Sequence, residues 1–264
     1  MTDAPDDRWL RTSIGSSTSD SIKVRGRDLS GEVMGQMTFS DLAFLLAAGR
    51  TPTKDEAIMF DAVLVSLADH GLTPTALAAR LTYTGAPEAL QGAIAAGLLG
   101  GGSVFLGPVE DTARFLGGIL EEIPEDVRAD EAALSEAAAN AVKKSSKEGR
   151  RIPGLGHPIH REVDPRTPRF YELAEQTGLL GPHLRLLALV SAAHRDATGK
   201  SLPINGAGAA GAALADLGFS PSVARGFALL ARTAGLIGHL AEESEHPIGM
   251  RLWKEVDRRA TEAE

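Results

Sequence analysis

The chain has no cysteine among its 264 residues. That excludes disulfide staples and thiolate chemistry, and it suits a cytoplasmic, bacterial-type enzyme. Nowhere does an apolar run reach the roughly 18 residues that a transmembrane helix needs, so no membrane span is expected. The stretch from Met1 to Arg11 is acidic and polar rather than basic then apolar, so no secretory signal is expected in it. No Gly-x-x-x-x-Gly-Lys-Ser/Thr occurs and no strand pattern precedes a Gly-x-Gly-x-x-Gly, which removes the P-loop and dinucleotide-binding readings. Internal repeats and low-complexity linkers are also missing. With a formal net charge of −8, the chain is a poor match for nucleic acid, whose phosphates call for a basic surface.

What is present is helical punctuation around enough apolar residues, 43% of the chain, to bury one large domain or two small ones. Thr38 with Asp41 forms a capping box and Gly49 stops the helix it opens. Thr53 with Glu56 starts a second, carrying Ile58, Met59, Ala62, Val63, Val65 and Leu67 towards Gly71. Pro87 opens an Ala/Gly-rich helix to Leu99, whose small residues suit close helix packing. Further helices are expected over Glu110 to Glu122 and Glu131 to Glu148. Another runs from a Thr167-Pro168 start to a stop at Gly178. Pro182 to Thr198, Gly206 to Leu217, Pro221 to Leu240 and Met250 to Arg259 follow. Only Ser21 to Arg27 alternates like a strand, enough for a short hairpin. The expected fold class is all-α.

One stretch concentrates charge. From Lys143 to Arg169 eight Lys/Arg face three acids, a basic island in an acidic chain that asks for an anionic partner. Within it a glycine-rich turn delivers His157 in a loop, poised to donate to a ligand oxygen or to shuttle a proton. Loop glycines let backbone approach a ligand closely, and arginine grips carboxylate or phosphate through two parallel hydrogen bonds.

Gly154-Leu155-Gly156-His157-Pro158, followed by Arg161 and Asp164-Pro165-Arg166, resembles the signature of the citrate synthase superfamily. Thr38 to Leu46 with Gly49 to Glu56 resembles its N-terminal helix pair, and Arg232-Thr233-Ala234-Gly235-Leu236-Ile237-Gly238-His239 its arginine helix. The likeness runs from about Ser21 onward, and the chain's length is closer to short citryl-CoA lyases and the matching module of ATP-citrate lyase. The resemblance implies a large domain from residues 12–106 plus 211–264, a small one from 107–210, an active site between them, and a homodimer. It also implies roles. His157 would bond the substrate's ketone or hydroxyl oxygen, while Arg166 and Arg232 would each clamp a carboxylate. Arg161 would contact a coenzyme A phosphate, and the backbone of Pro153, Gly154, Leu155 and Gly156 would hold the adenine.

Two departures from the family pattern shape the functional expectation. Where synthases carry a histidine for the thioester enolate, this chain has Phe105, as the ATP-citrate lyase module also has an aromatic. The family's catalytic aspartate aligns with Asn205, which cannot act as a base but can donate its amide hydrogens, for instance to a thioester oxygen. Asp164 or Glu110 is left as a stand-in acid. The expected activity is cleavage of citryl-CoA, or a related 3-hydroxy-3-carboxyacyl-CoA, to acetyl-CoA and oxaloacetate. The alternative is a catalytically silent protein that binds CoA or a tricarboxylate as sensor or partner subunit. Coenzyme A enters as part of substrate and product. No metal is expected: a proline interrupts His157-x-x-His160, and His239, Glu242, Glu243 and His246 read as a polar helix end.

Overall fold

The computed structural model describes residues 7–262. A small antiparallel meander comes first: β1 (Gly15–Ser17), β2 (Ile22–Val24) and β3 (Arg27–Asp28). Arg25 at φ 49° and Gly26 at φ 80° make the tight turn between the last two strands. The strand signal at Ser21 to Arg27 thus belongs to three strands, because Gly15 to Ser17 also pairs with it.

Everything after the meander is helical apart from turns and loops. α1 (Phe39–Ala48) and α2 (Lys54–Ala68) start in the expected capping boxes of Thr38 with Asp41 and Thr53 with Glu56. α3 (Pro74–Gly85) follows, with proline in its first turn; it was not expected. α4 (Leu90–Leu99) starts three residues later than Pro87 suggested, since Ala89 lies outside helical geometry at φ −105°, ψ 59°. α5 (Gly107–Glu121), α6 (Glu131–Lys147), α8 (Pro182–Thr198) and α9 (Gly206–Asp216) fall close to expectation. α7 (Arg166–Gln176) begins one residue before its presumed cap. The Thr167 hydroxyl donates to Ile204 O at 2.7 Å, and the Asp164 carboxylate accepts from Arg166 N instead. α10 (Pro221–Glu245) runs past Leu240, and α11 (Gly249–Thr261) closes the described chain.

One apolar core runs through most of these helices. Phe44 of α1, Phe60 of α2, Phe227 of α10 and Phe219 cluster with centroids 4.7–5.9 Å apart, edge to face except for the tilted pair Phe60 and Phe219. Val109 and Leu116 of α5, Leu134 of α6, Leu184 and Leu187 of α8, and Leu214 of α9 extend it without a break. A second, smaller cluster joins Ala79 of α3, Ala93 of α4, and Leu236 and Leu240 of α10. Small residues allow the close approach there: a Cβ on Gly97 would sit 2.7 Å from Leu236. α10 therefore touches both clusters, and its middle third overlooks the loop before α7. No helix among the described residues is long and apolar enough to cross a membrane.

Candidate active site

The loop Pro153-Gly154-Leu155-Gly156 is built by its glycines, both left-handed at φ 84° and 83°. Its backbone is tied to the segment entering α9. Gly156 N donates to Pro203 O at 2.7 Å, and Asn205 N donates to Gly154 O at 2.9 Å. Gly208 presses so close that a Cβ there would lie 2.5 Å from Gly154 Cα. Asn205 is the cap of α9. Its Oδ1 accepts from Gly208 N at 2.8 Å, and one amide N–H donates to Gly156 O at 2.8 Å. The side chain expected at the family's aspartate position thus fastens loop to helix and has one amide hydrogen left over.

Held this way, the chain turns His157 back on itself. His157 Nδ1 accepts from the backbone N–H of Ile159 at 3.1 Å and of His160 at 3.0 Å. Two donors at Nδ1 place the neutral ring's proton on Nε2, so His157 presents a donor to the site. The ring of His160 stacks on it at 4.4 Å, and His70, from the turn after α2, closes the group at 5.4 and 5.6 Å. The proline did not keep His157 and His160 apart, because a loop rather than a helix brings them together. His70 was missed altogether. Its signal was the pair Asp69-His70 before Gly71, at a helix end.

One nitrogen from each of the three rings lies within 4.8 Å of the others, a spacing that could suit a metal ion. The hydrogen bonds oppose it at His157. Ligation through Nε2 would move the proton to Nδ1, into the two backbone donors. Cationic neighbours oppose it further. Burial is the main cause that pushes His70 and His157 below the ordinary histidine range, with Arg166 adding to it at both rings.

Asp164 is fully buried beside this group. It accepts from Arg166 Nε and Nη2 at 2.9 and 2.8 Å, from Arg166 N, and from Gly206 N at 2.7 Å. Burial opposes its charge, but these donors outweigh burial and hold the carboxyl far below its usual range. It is therefore no free base, and neither is Glu110 of α5, which is paired with Arg114 at 2.6 Å and with Arg225 of α10 at 3.4 Å. Arg166 is oriented by Asp164 and by Ser66 O, to which Nη1 donates at 3.2 Å.

Arg232 of α10 is the most telling cation. Only 7% of it is exposed, yet its Nε and Nη1 find no hydrogen-bond partner. The nearest carboxylate is Asp69, at 3.9 Å. Burial lowers its pKa and Arg166 deepens the effect. A buried guanidinium with idle donors can take a carboxylate through two parallel hydrogen bonds. Phe105 lies on the turn leading into α5, partly exposed, and Arg161 is on the surface of the loop after His160. His157, Arg166, Arg232 and Asn205 are thus drawn together by α7, α9 and α10, whereas Phe105 and Arg161 stand on exposed turns.

The family model for the C-terminal domain of citrate synthase matches residues 36–254. Among solved structures, a citryl-CoA lyase from Hydrogenobacter thermophilus is similar at a TM-score of 0.78 and 31% identity, over 88% of this chain and 86% of that one. An ATP citrate lyase from Methanosaeta concilii, in complex with (3S)-citryl-CoA, has a TM-score of 0.73 at 23% identity. The match covers 90% of this chain but 40% of that one. Citrate synthase from Thermoplasma acidophilum, with carboxymethyl coenzyme A and oxaloacetate, follows at 0.61 and 19%, over 79% of this chain and 54% of that one. No curated protein sequence matches the chain.

Proposed function

The chain belongs to the citrate synthase family, and from that premise we propose that it is a CoA-dependent carbon–carbon lyase that cleaves citryl-CoA to acetyl-CoA and oxaloacetate. The observation that carries this reading is the buried Arg232, with its unpartnered donors, and the half-buried Arg166, both close enough to act on His70 in a cluster of three imidazoles. Such a site takes a small polycarboxylate with a hydroxyl or keto oxygen between its carboxylates. The likeness to a citryl-CoA lyase over nearly the whole of both chains points the chemistry towards cleavage.

Cleavage requires the tertiary hydroxyl to lose its proton, the C–C bond to break, and the departing acetyl-CoA enolate to be held and then protonated. In the proposed roles, Arg166 and Arg232 each hold a carboxylate, and His157 Nε2–H stabilises the alkoxide that becomes the ketone. His70, kept unprotonated by burial, takes the hydroxyl proton and returns it to the enolate carbon. The remaining amide hydrogen of Asn205 and the ring of Phe105 border the thioester. Arg161, on the basic loop, faces the CoA phosphates, and the backbone of Pro153, Gly154, Leu155 and Gly156 faces the adenine. No metal takes part. Residues 107–210 act as a small unit over a larger one. The protein works in the cytoplasm as a homodimer, its interface drawn from exposed apolar residues such as Leu90 and Leu99 of α4 and Trp253 and Val256 of α11.

In the opposite direction the methyl proton falls to the same His70, since Asp164 and Glu110 are both held in ion pairs and Asn205 is no base. The reading is tested by steady-state assay with citryl-CoA, malyl-CoA and citramalyl-CoA. Preferred turnover of citryl-CoA is expected. Turnover of none of the three, with CoA still bound, would replace the lyase by a binding protein.

A further inference from the structure

Asp69, at the end of α2, sits at the centre of a network that reaches from the surface to Arg232. Its Oδ2 accepts from Gly71 N at 2.8 Å, which fixes the turn carrying His70. Its Oδ1 accepts from His239 Nε2 at 2.8 Å. His239 in turn stands against Arg80 of α3, with Arg80 Nε at 3.2 Å and Nη2 at 3.0 Å from His239 Nδ1. A guanidinium can only donate, so His239 Nδ1 must accept and Nε2 must carry the proton given to Asp69. Arg80 is almost fully buried and is itself anchored by Glu243 at 2.9 Å and by Glu242. The tautomer and orientation of His239 are therefore determined by groups outside the substrate pocket.

Helix geometry aligns these groups. Arg232 and His239 are two turns apart on α10, on one face, and Glu243 continues that face. Gly235 between them meets the end of α2 so closely that a Cβ would lie 2.0 Å from Ala68 O. Asp69 is thus forced near Arg232, yet it stays 3.9 Å away while its oxygens are taken by His239 and Gly71. Without that restraint a carboxylate beside a buried, unpartnered guanidinium would close on it and occupy the donors meant for a ligand.

Resting on the lyase reading, we propose that His239, set by Arg80, is a positioning residue that holds Asp69 back from Arg232 and so keeps Arg232 free for the substrate carboxylate. The histidine touches no substrate. Asp69 supplies partial charge compensation to a buried cation without quenching it, and the same turn aims His70. Substrate binding then needs no ion pair to be broken first.

The experiment measures citrate binding by titration calorimetry, and KM and kcat for citryl-CoA, in the wild type and three variants. His239→Ala should weaken citrate binding and raise KM about tenfold, with a much smaller change in kcat. Adding Asp69→Asn removes the competing charge but keeps an oxygen for Gly71 N, so the double variant should regain most of the lost affinity. A merely structural role predicts the opposite, a double variant worse than the single one. His239→Gln, whose amide can accept from Arg80 and donate to Asp69, should bind citrate like wild type, and it carries the test if the alanine variant fails to fold. Wild-type affinity in His239→Ala, no recovery in the double variant, or a folded glutamine variant with affinity lost would each overturn the inference. A wild type that neither binds citrate nor cleaves citryl-CoA would overturn the lyase reading and the inference with it.

Discussion

Two regions build the candidate site, and they differ in how they are written into the chain. The loop from Pro153 to Arg166 is contiguous. Its glycines, His157, Asp164 and Arg166 lie within 14 residues, and its main side-chain bonds, Arg166 to Asp164, span two. The opposite wall is assembled from distant pieces. Asp69 meets His239 across 170 positions, and Arg80 meets His239 across 159. On the first wall Asp164 accepts four hydrogen bonds, three from Arg166 and one from Gly206 N. On the second wall Arg232 is left with idle donors. In the proposed reading the contrast is a division of labour: one wall orients its side chains through local bonds, and the other leaves donors of Arg232 for the ligand.

The largest expected effect falls on the first wall. His157→Ala removes the oriented Nε2–H donor and should reduce citryl-CoA cleavage by roughly a hundredfold or more, with CoA binding retained, as read by single-turnover assay and calorimetry. Next come the two arginines, which should separate. Arg166→Met leaves the buried Asp164 without its main partner and should destabilise the fold by about 3–5 kcal/mol. Arg232→Met removes a buried, unpartnered charge, so its melting temperature should hold or rise while citrate binding is lost. Equal destabilisation of both variants would break the comparison.

Asn205→Asp sharpens it further. A carboxylate cannot donate to Gly156 O, so the variant should lose about 1–3 kcal/mol of stability and gain no deuterium exchange at the acetyl-CoA methyl. Enhanced exchange would show that position acting as a base after all. A smaller effect is expected with pH. Burial holds His70 and His157 below the ordinary histidine value of about 6.5. The unfolded chain therefore takes up their protons first, and the stability they contribute is present above that value and lost as pH falls through their lower folded values. The acid limb of the rate profile should lie below pH ~6.5 and stay there in Arg161→Ala.

The same contrast explains what was legible in the sequence. Capping boxes at Thr38 and Thr53 act locally, so α1 and α2 start where they were expected. The Gly-His-Asp-Pro-Arg run names its own wall, because its residues reach one another through short turns. Thr167 misled, since a Thr-Pro pair reads as a cap, whereas tertiary contact sends its hydroxyl to Ile204 O and gives the capping role to Asp164. α3 has a local start of its own in Thr73-Pro74, which was overlooked. The bond of His239 to Asp69 was not legible, because it depends on α10 lying against α2, an approach set by Gly235 that no local pattern announces. Arg232 could be named from its helix, but its unpaired state appears only once the walls are assembled.

The most direct test of the account follows one turnover of citryl-CoA on the wild-type protein, quenched and quantified by mass spectrometry. Acetyl-CoA and oxaloacetate formed in equal amounts, in step with substrate loss, is the predicted result. Free coenzyme A with citrate, which would mean thioester hydrolysis, or bound substrate left intact, would contradict it.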